Sequence, residues 1–84
     1  MSEQAARPLV KICGLTNAGD ACLAAEAGAD LLGFVFYPAS KRAVEPAAVR
    51  AIAAALGRPR PLLVGVFVDA EPAAVAAIMA DCGL

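Results

Sequence analysis

An α/β fold on a parallel sheet follows from three features of this 84-residue sequence. Three short apolar runs, Leu9 to Cys13, Leu31 to Tyr37 and Leu62 to Val68, are rich in Val, Ile, Leu or Phe and are bounded by Gly, Pro, Asp or Asn, as strands are. They are almost continuously apolar instead of alternating, the pattern of strands buried on both faces of a parallel sheet. An alanine-rich stretch with helix start and stop residues follows each, which gives the order βαβαβα with short connections. A barrel and an open doubly wound sheet both fit that order.

The first helix spans roughly Ala18 to Ala27, with Thr16 and Asn17 as N-cap candidates and Gly28 as its C-terminal stop. Asp20, three residues after Asn17, favours the positive end of the helix dipole, whereas Gly19 weakens the first turn by up to ~1 kcal/mol against Ala. The second helix spans Pro46 to Leu56, with proline at the first helical position and Gly57 after the end. The third starts near Pro72 and reaches about Ala80, with Cys82-Gly83 as its stop. The second and third apolar runs echo each other, Leu31-Leu32-Gly33-Phe34-Val35-Phe36 against Leu63-Val64-Gly65-Val66-Phe67-Val68.

Composition narrows the function classes. Hydrophobic residues make up 61% of the chain, much of the excess being alanine, and the net charge is −1. The basic residues are scattered without interleaved aromatics, which excludes electrostatic capture of nucleic acid as an expectation. There is no histidine, and Cys13, Cys22 and Cys82 form no CxxC pair, so no metal site is expected. An odd number of unpatterned cysteines suits reduced thiols in the cytoplasm. Residues 1–8 are polar and end in Arg7-Pro8, unlike a signal peptide, and no apolar run approaches the ~18 residues of a membrane span.

Three units in chain order leave the sheet half covered. Right-handed crossovers place all the helices on one face. The other face would then expose one parity of the apolar strands, with both edges open. The sequence ends at Cys82-Gly83-Leu84, where a fourth strand would start. A complete (β/α)8 barrel needs eight such units and about 200 residues or more. The expectation is therefore an N-terminal tail over 1–8 and, over 9–84, the first three βα units of an incomplete barrel.

Chemistry concentrates in two places. In Lys11-Ile12-Cys13-Gly14-Leu15-Thr16, Cys13 stands at the carboxyl end of the first strand, on the rim where barrel active sites form. Gly14 frees the backbone to turn and admits a ligand, and the start of the next helix favours a thiolate, which can act as nucleophile or base. Lys11, two residues back, points to the same face and would reinforce this if that face is the barrel interior. A small cysteine buried at a strand end is the plainer reading. The loop Tyr37-Pro38-Ala39-Ser40-Lys41-Arg42 follows the second strand on the same rim. Arg42 could grip a carboxylate through two parallel hydrogen bonds, although solvated basic loops are common. Cys22 and Cys82 read as packing residues, Asp69 as the start of the third helix, and Glu26, Glu45 and Glu71 as surface charges. Neither GxGxxG nor GxxxxGK[ST] is present.

The same residues resemble the phosphoribosylanthranilate isomerase family. Lys11-Ile12-Cys13-Gly14-Leu15-Thr16 is similar to that family's opening strand. Gly28-Ala29-Asp30, Gly33-Phe34-Val35-Phe36-Tyr37-Pro38 and Ser40-Lys41-Arg42 resemble its second strand and loop, and Gly65-Val66-Phe67-Val68 its third strand. The resemblance runs from about Val10 to Leu84. It implies an Amadori rearrangement of N-(5-phosphoribosyl)anthranilate, a phosphosugar, to 1-(2-carboxyphenylamino)-1-deoxyribulose 5-phosphate in tryptophan biosynthesis, without metal or organic cofactor. It further implies that Cys13 is the general base and that Arg42 holds the anthranilate carboxylate; Lys11 and Gly14 are supporting residues by their positions beside Cys13 alone.

No residue of this chain corresponds to the family's ring-opening aspartate or to its phosphate-binding loops, so these 84 residues are expected to be inactive alone. Their partner would be the missing C-terminal part of the barrel, or a second copy through the bare face. Gly19 also departs from the family, which often has an acidic capping residue there. Two alternatives stand beside this reading: a non-catalytic half-barrel assembly module, and another phosphate-sugar barrel enzyme. Against the latter, a lysine is the commoner acid–base group than Cys13-Gly14.

Overall fold

The computed structural model describes residues 8–84, so the expected tail over 1–8 lies outside the described residues save for Pro8. Three strands and three helices alternate: β1 (Lys11–Ile12), α1 (Ala18–Glu26), β2 (Leu31–Val35), α2 (Pro46–Leu56), β3 (Leu62–Val66) and α3 (Pro72–Cys82). The strands form one parallel sheet in the order β1-β2-β3. In register, Lys11 faces Leu31, Ile12 faces Leu32, Leu32 faces Leu63, and Val35 faces Val66.

That register sorts the side chains into two faces. Leu32 and Phe34 are fully buried and Leu63 nearly so, in one core with Ala21 of α1, Val49, Ile52 and Ala53 of α2, and Cys82 of α3. The helices therefore cover a single face, and α2 packs between α1 and α3. The opposite face carries Leu31, Val35, Val64 and Val66, which are half-buried, and Leu62, which is 70% exposed. The bare second face expected of three units in chain order is thus observed: among the described residues no helix covers that face. The internal echo is also offset. It equates Gly33 with Gly65, but the hydrogen-bonded register pairs Gly33 with Val64, so the two glycines face opposite sides.

Helix ends follow local chemistry. The Asn17 side chain accepts the Asp20 N–H at 2.8 Å, which makes Asn17 and not Thr16 the N-cap of α1. The start and end of α2 agree with the sequence expectation, and Arg60 donates to the Ala53 carbonyl at 3.1 Å, one of the acceptors that the last turn leaves open. α3 runs two residues past Ala80, to Cys82, and Gly83 in the left-handed region lets its own N–H and that of Leu84 reach the Met79 carbonyl. Its N-cap is Glu71, not Asp69, and makes no side-chain capping bond; Asp69 sits in a turn at φ +52°, a conformation aspartate tolerates.

β1 is shorter than the apolar run Leu9 to Cys13. Only two residues pair with β2, and Leu9 and Val10 are exposed, because β1 is an edge of the sheet. Asp30 clips this edge in place. Its carboxylate accepts the Val10 N–H at 2.7 Å, its own N–H donates to the Val10 carbonyl, and its carbonyl accepts the Leu62 N–H. One residue at the foot of the sheet thereby sets the relative height of all three strands. No helix of the described residues is long and apolar enough to cross a membrane.

Candidate active site at the strand ends

β1 gives way to a tight turn at Cys13-Gly14. Gly14 is buried with φ +81°, a conformation in which a Cβ is strained. Its N–H and that of Leu15 both donate to the Gly33 carbonyl of β2, at 3.1 and 3.2 Å. Leu15 then enters the core at 7% exposure. The turn is anchored at both ends, so the Cys13 thiol is presented at a fixed place on the strand-end rim, where it is solvent-exposed and free of any disulfide. In this chain Cys13 is therefore exposed and not buried at the strand end.

The loop after β2 closes back on its own strand. Ser40 N–H donates to the Tyr37 carbonyl, Ala43 N–H to Ser40, and Val44 N–H to Val35. The Ser40 hydroxyl oxygen accepts the Arg42 N–H at 3.1 Å, so the serine shapes the backbone that carries Arg42. The aliphatic stem of Arg42 lies directly over Gly14: a Cβ built on that glycine would stand 3.5 Å from Arg42 Cγ. Gly14 therefore adjoins Cys13 in the chain, and the space beside its Cα is bounded by the Arg42 stem. Arg42 is exposed, and among the described residues its guanidinium makes no ion pair.

Of the residues singled out from sequence, Cys13, Gly14 and Arg42 come together. Lys11 shares the face of Cys13 by parity but lies two residues down the sheet, in the row of Leu31 and Leu62, and is exposed. Cys82 is buried in the helix layer and its Sγ donates to the Pro46 carbonyl at 3.6 Å. Burial pushes its thiol pKa up, Asp81 adds to this, and Arg50 opposes it. A cleft of about 450 Å³ lined by Phe36, Val44, Pro46 and Ile78 borders α2 and α3; Phe36 belongs to the parity of the helix-covered face, opposite Cys13. Gly33, which lies against Cys13 in the sheet, was not singled out from the sequence as a site candidate. A glycine inside an apolar strand is the available signal, since it marks close approach of another group.

A one-sided parallel sheet with an exposed cysteine and an exposed arginine at its strand ends fits one class: a segment of a (β/α)8 barrel, a fold whose sites form on the carboxyl rim. The family model described as N-(5'-phosphoribosyl)anthranilate (PRA) isomerase matches residues 10–84. The isomerase of that name from Desulforudis audaxviator is 53% identical over 76 residues, which cover 90% of this chain and 36% of that protein. The crystal structure of phosphoribosyl anthranilate isomerase from Thermotoga maritima superposes with a TM-score of 0.88 at 45% identity, over 93% of this chain and 38% of the other. A second solved phosphoribosyl anthranilate isomerase, in complex with reduced 1-(o-carboxyphenylamino)-1-deoxyribulose 5-phosphate, also gives 0.88 at 45% identity, over 93% and 40%. This chain belongs to the phosphoribosylanthranilate isomerase family. It spans about a third of the length of the curated relatives it matches.

Proposed function

We propose that this chain supplies the first three strand–helix units of a phosphoribosylanthranilate isomerase, and with them two groups of its active site. Cys13 is the general base and Arg42 the carboxylate grip. The observation that carries this reading is the Gly14 turn, which sets the exposed thiol and the Arg42 stem against one residue on one rim. The product-like ligand of the second solved relative carries a carboxylate on its aromatic ring, a suitable partner for a planar guanidinium.

In the reaction, the ring-opened substrate is a Schiff base between the aromatic nitrogen and C1 of the sugar. The Cys13 thiolate takes the proton from C2. The C2–H electron pair becomes a C1–C2 double bond, and the imine electrons move to nitrogen, which is protonated. The resulting enol loses its O2 hydroxyl proton and gains one at C1 to give the C2 ketone, so aldose becomes ketose with no net gain of protons and no redox partner. Proton transfer by a placed side chain accounts for ~10²–10⁴ in rate. The acid that opens the ring and the loops that hold the phosphate belong to the family's remaining length, whose strands would also cover the bare sheet face. The unpaired thiols suit a reducing compartment, and we place the enzyme in the cytoplasm.

A genetic test is direct. Residues 10–84 replace the matching segment of the Thermotoga maritima enzyme, and the chimera is expressed in a tryptophan auxotroph lacking the isomerase. Growth without tryptophan is expected. A soluble, folded chimera that fails to support growth would overturn the proposal.

A further inference from the structure

We propose that Gly33 is a positioning residue for the Cys13 thiol, its missing side chain being the seat over which the sulfur lies; this rests on the reading of Cys13 as the base. A Cβ built on Gly33 would stand 2.8 Å from Cys13 Sγ and 3.2 Å from both Cys13 Cα and Cβ. The first distance is shorter than real Cβ contacts. At 3.2 Å the Cys13 Cα and Cβ would have to give by a few tenths of an ångström, and the hydrogen bonds of the Gly14 and Leu15 N–H groups to the Gly33 carbonyl restrain the backbone that carries them. Gly33 thus fixes the turn after Cys13 with its carbonyl and clears the space for the sulfur on its Cα.

Backbone conformation does not explain the glycine. Gly33 lies outside the left-handed region, so only the space requires it. Gly65 on β3 supplies the contrast. Its Cβ position is taken by Phe67, Leu84 and Phe36, apolar groups of the helix-covered face, which is ordinary packing. At Gly33 the occupant is the sulfur of the exposed Cys13, and the neighbour in register on β3 is the β-branched Val64. A methyl group at position 33 would lift the thiol off the sheet, and a misplacement of about 1 Å can cost ~10² in rate.

The test is Gly33→Ala, read in two ways. In the full chain, alkylation of each cysteine by iodoacetamide is followed across pH by peptide mass spectrometry, with the buried Cys82 reporting whether the fold is intact. In the chimera, kcat and KM are measured. The expected result is a Cys13 alkylation rate at least fivefold different, Cys82 still protected, kcat down about 10² and KM within threefold. An unchanged Cys13 rate and kcat with Cys82 protected would overturn the proposal. If Gly33→Ala exposes Cys82, the double variant Cys13→Gly/Gly33→Ala decides. Restored protection supports the steric seat, and continued exposure overturns it. Cys13→Ser separates the two readings: near-normal turnover there removes the base assignment, while the alkylation result on Gly33 still stands.

Discussion

Cys13 and Arg42 are 29 positions apart in sequence, and Gly14 is where they meet. Arg42 offers a planar fork that a lysine lacks, so Arg42→Lys in the chimera is expected to raise KM about tenfold with a smaller loss in kcat. Steady-state kinetics check this; an unchanged KM would remove Arg42 from the carboxylate site. The place of both residues at the strand ends was legible in the sequence because each lies in a short motif, at the end of a strand or in the loop that follows. The Ser40 hydroxyl bond to the Arg42 N–H and the seat of Cys13 over Gly33 were not. The latter joins residues 20 apart, and it exists only once β1 and β2 are paired in one particular register.

At the scale of elements, the helix ends were legible where a side chain or proline fixes them, as at Asn17, Pro46 and Gly57. Asn17→Ala should cost about 1 kcal/mol, measured by denaturant unfolding, since the Asp20 N–H loses its acceptor. The end of α3 was read short because Cys82 looked like a stop, whereas it completes the buried face of the helix. Burial gives Cys82 a distinct pH signature. Its folded pKa is raised above the ordinary 9.0, so the neutral thiol stabilises the fold fully below that pH. As pH rises past 9.0 the unfolded chain ionises first, and the contribution is lost as pH climbs through the folded value. Stability should therefore fall more steeply above pH 9.0 in the parent chain than in Cys82→Ala, as followed by thermal melts; parallel curves would contradict this. The Arg50–Asp81 ion pair links α2 to α3, but both side chains are about half exposed, and such pairs contribute little.

At the scale of the molecule, alternating elements and short loops specified a parallel sheet with helices on one face, and the register bears this out. Apolar runs alone did not reveal which residues face the helices. Leu32, Phe34 and Leu63 are buried there, while Leu62 on the other parity is exposed. In a barrel, that second parity faces the interior, and the rim above it is where Cys13 stands. On the proposed reading, Cys13 is the base of an isomerase site completed by the rest of the barrel. Turnover of N-(5-phosphoribosyl)anthranilate by the chimera carrying residues 10–84, with Cys13 and with Cys13→Ser, both checked for an unchanged melting transition, tests that role. A loss of at least 10² in kcat with KM nearly constant is predicted; equal turnover by the two folded proteins would contradict it.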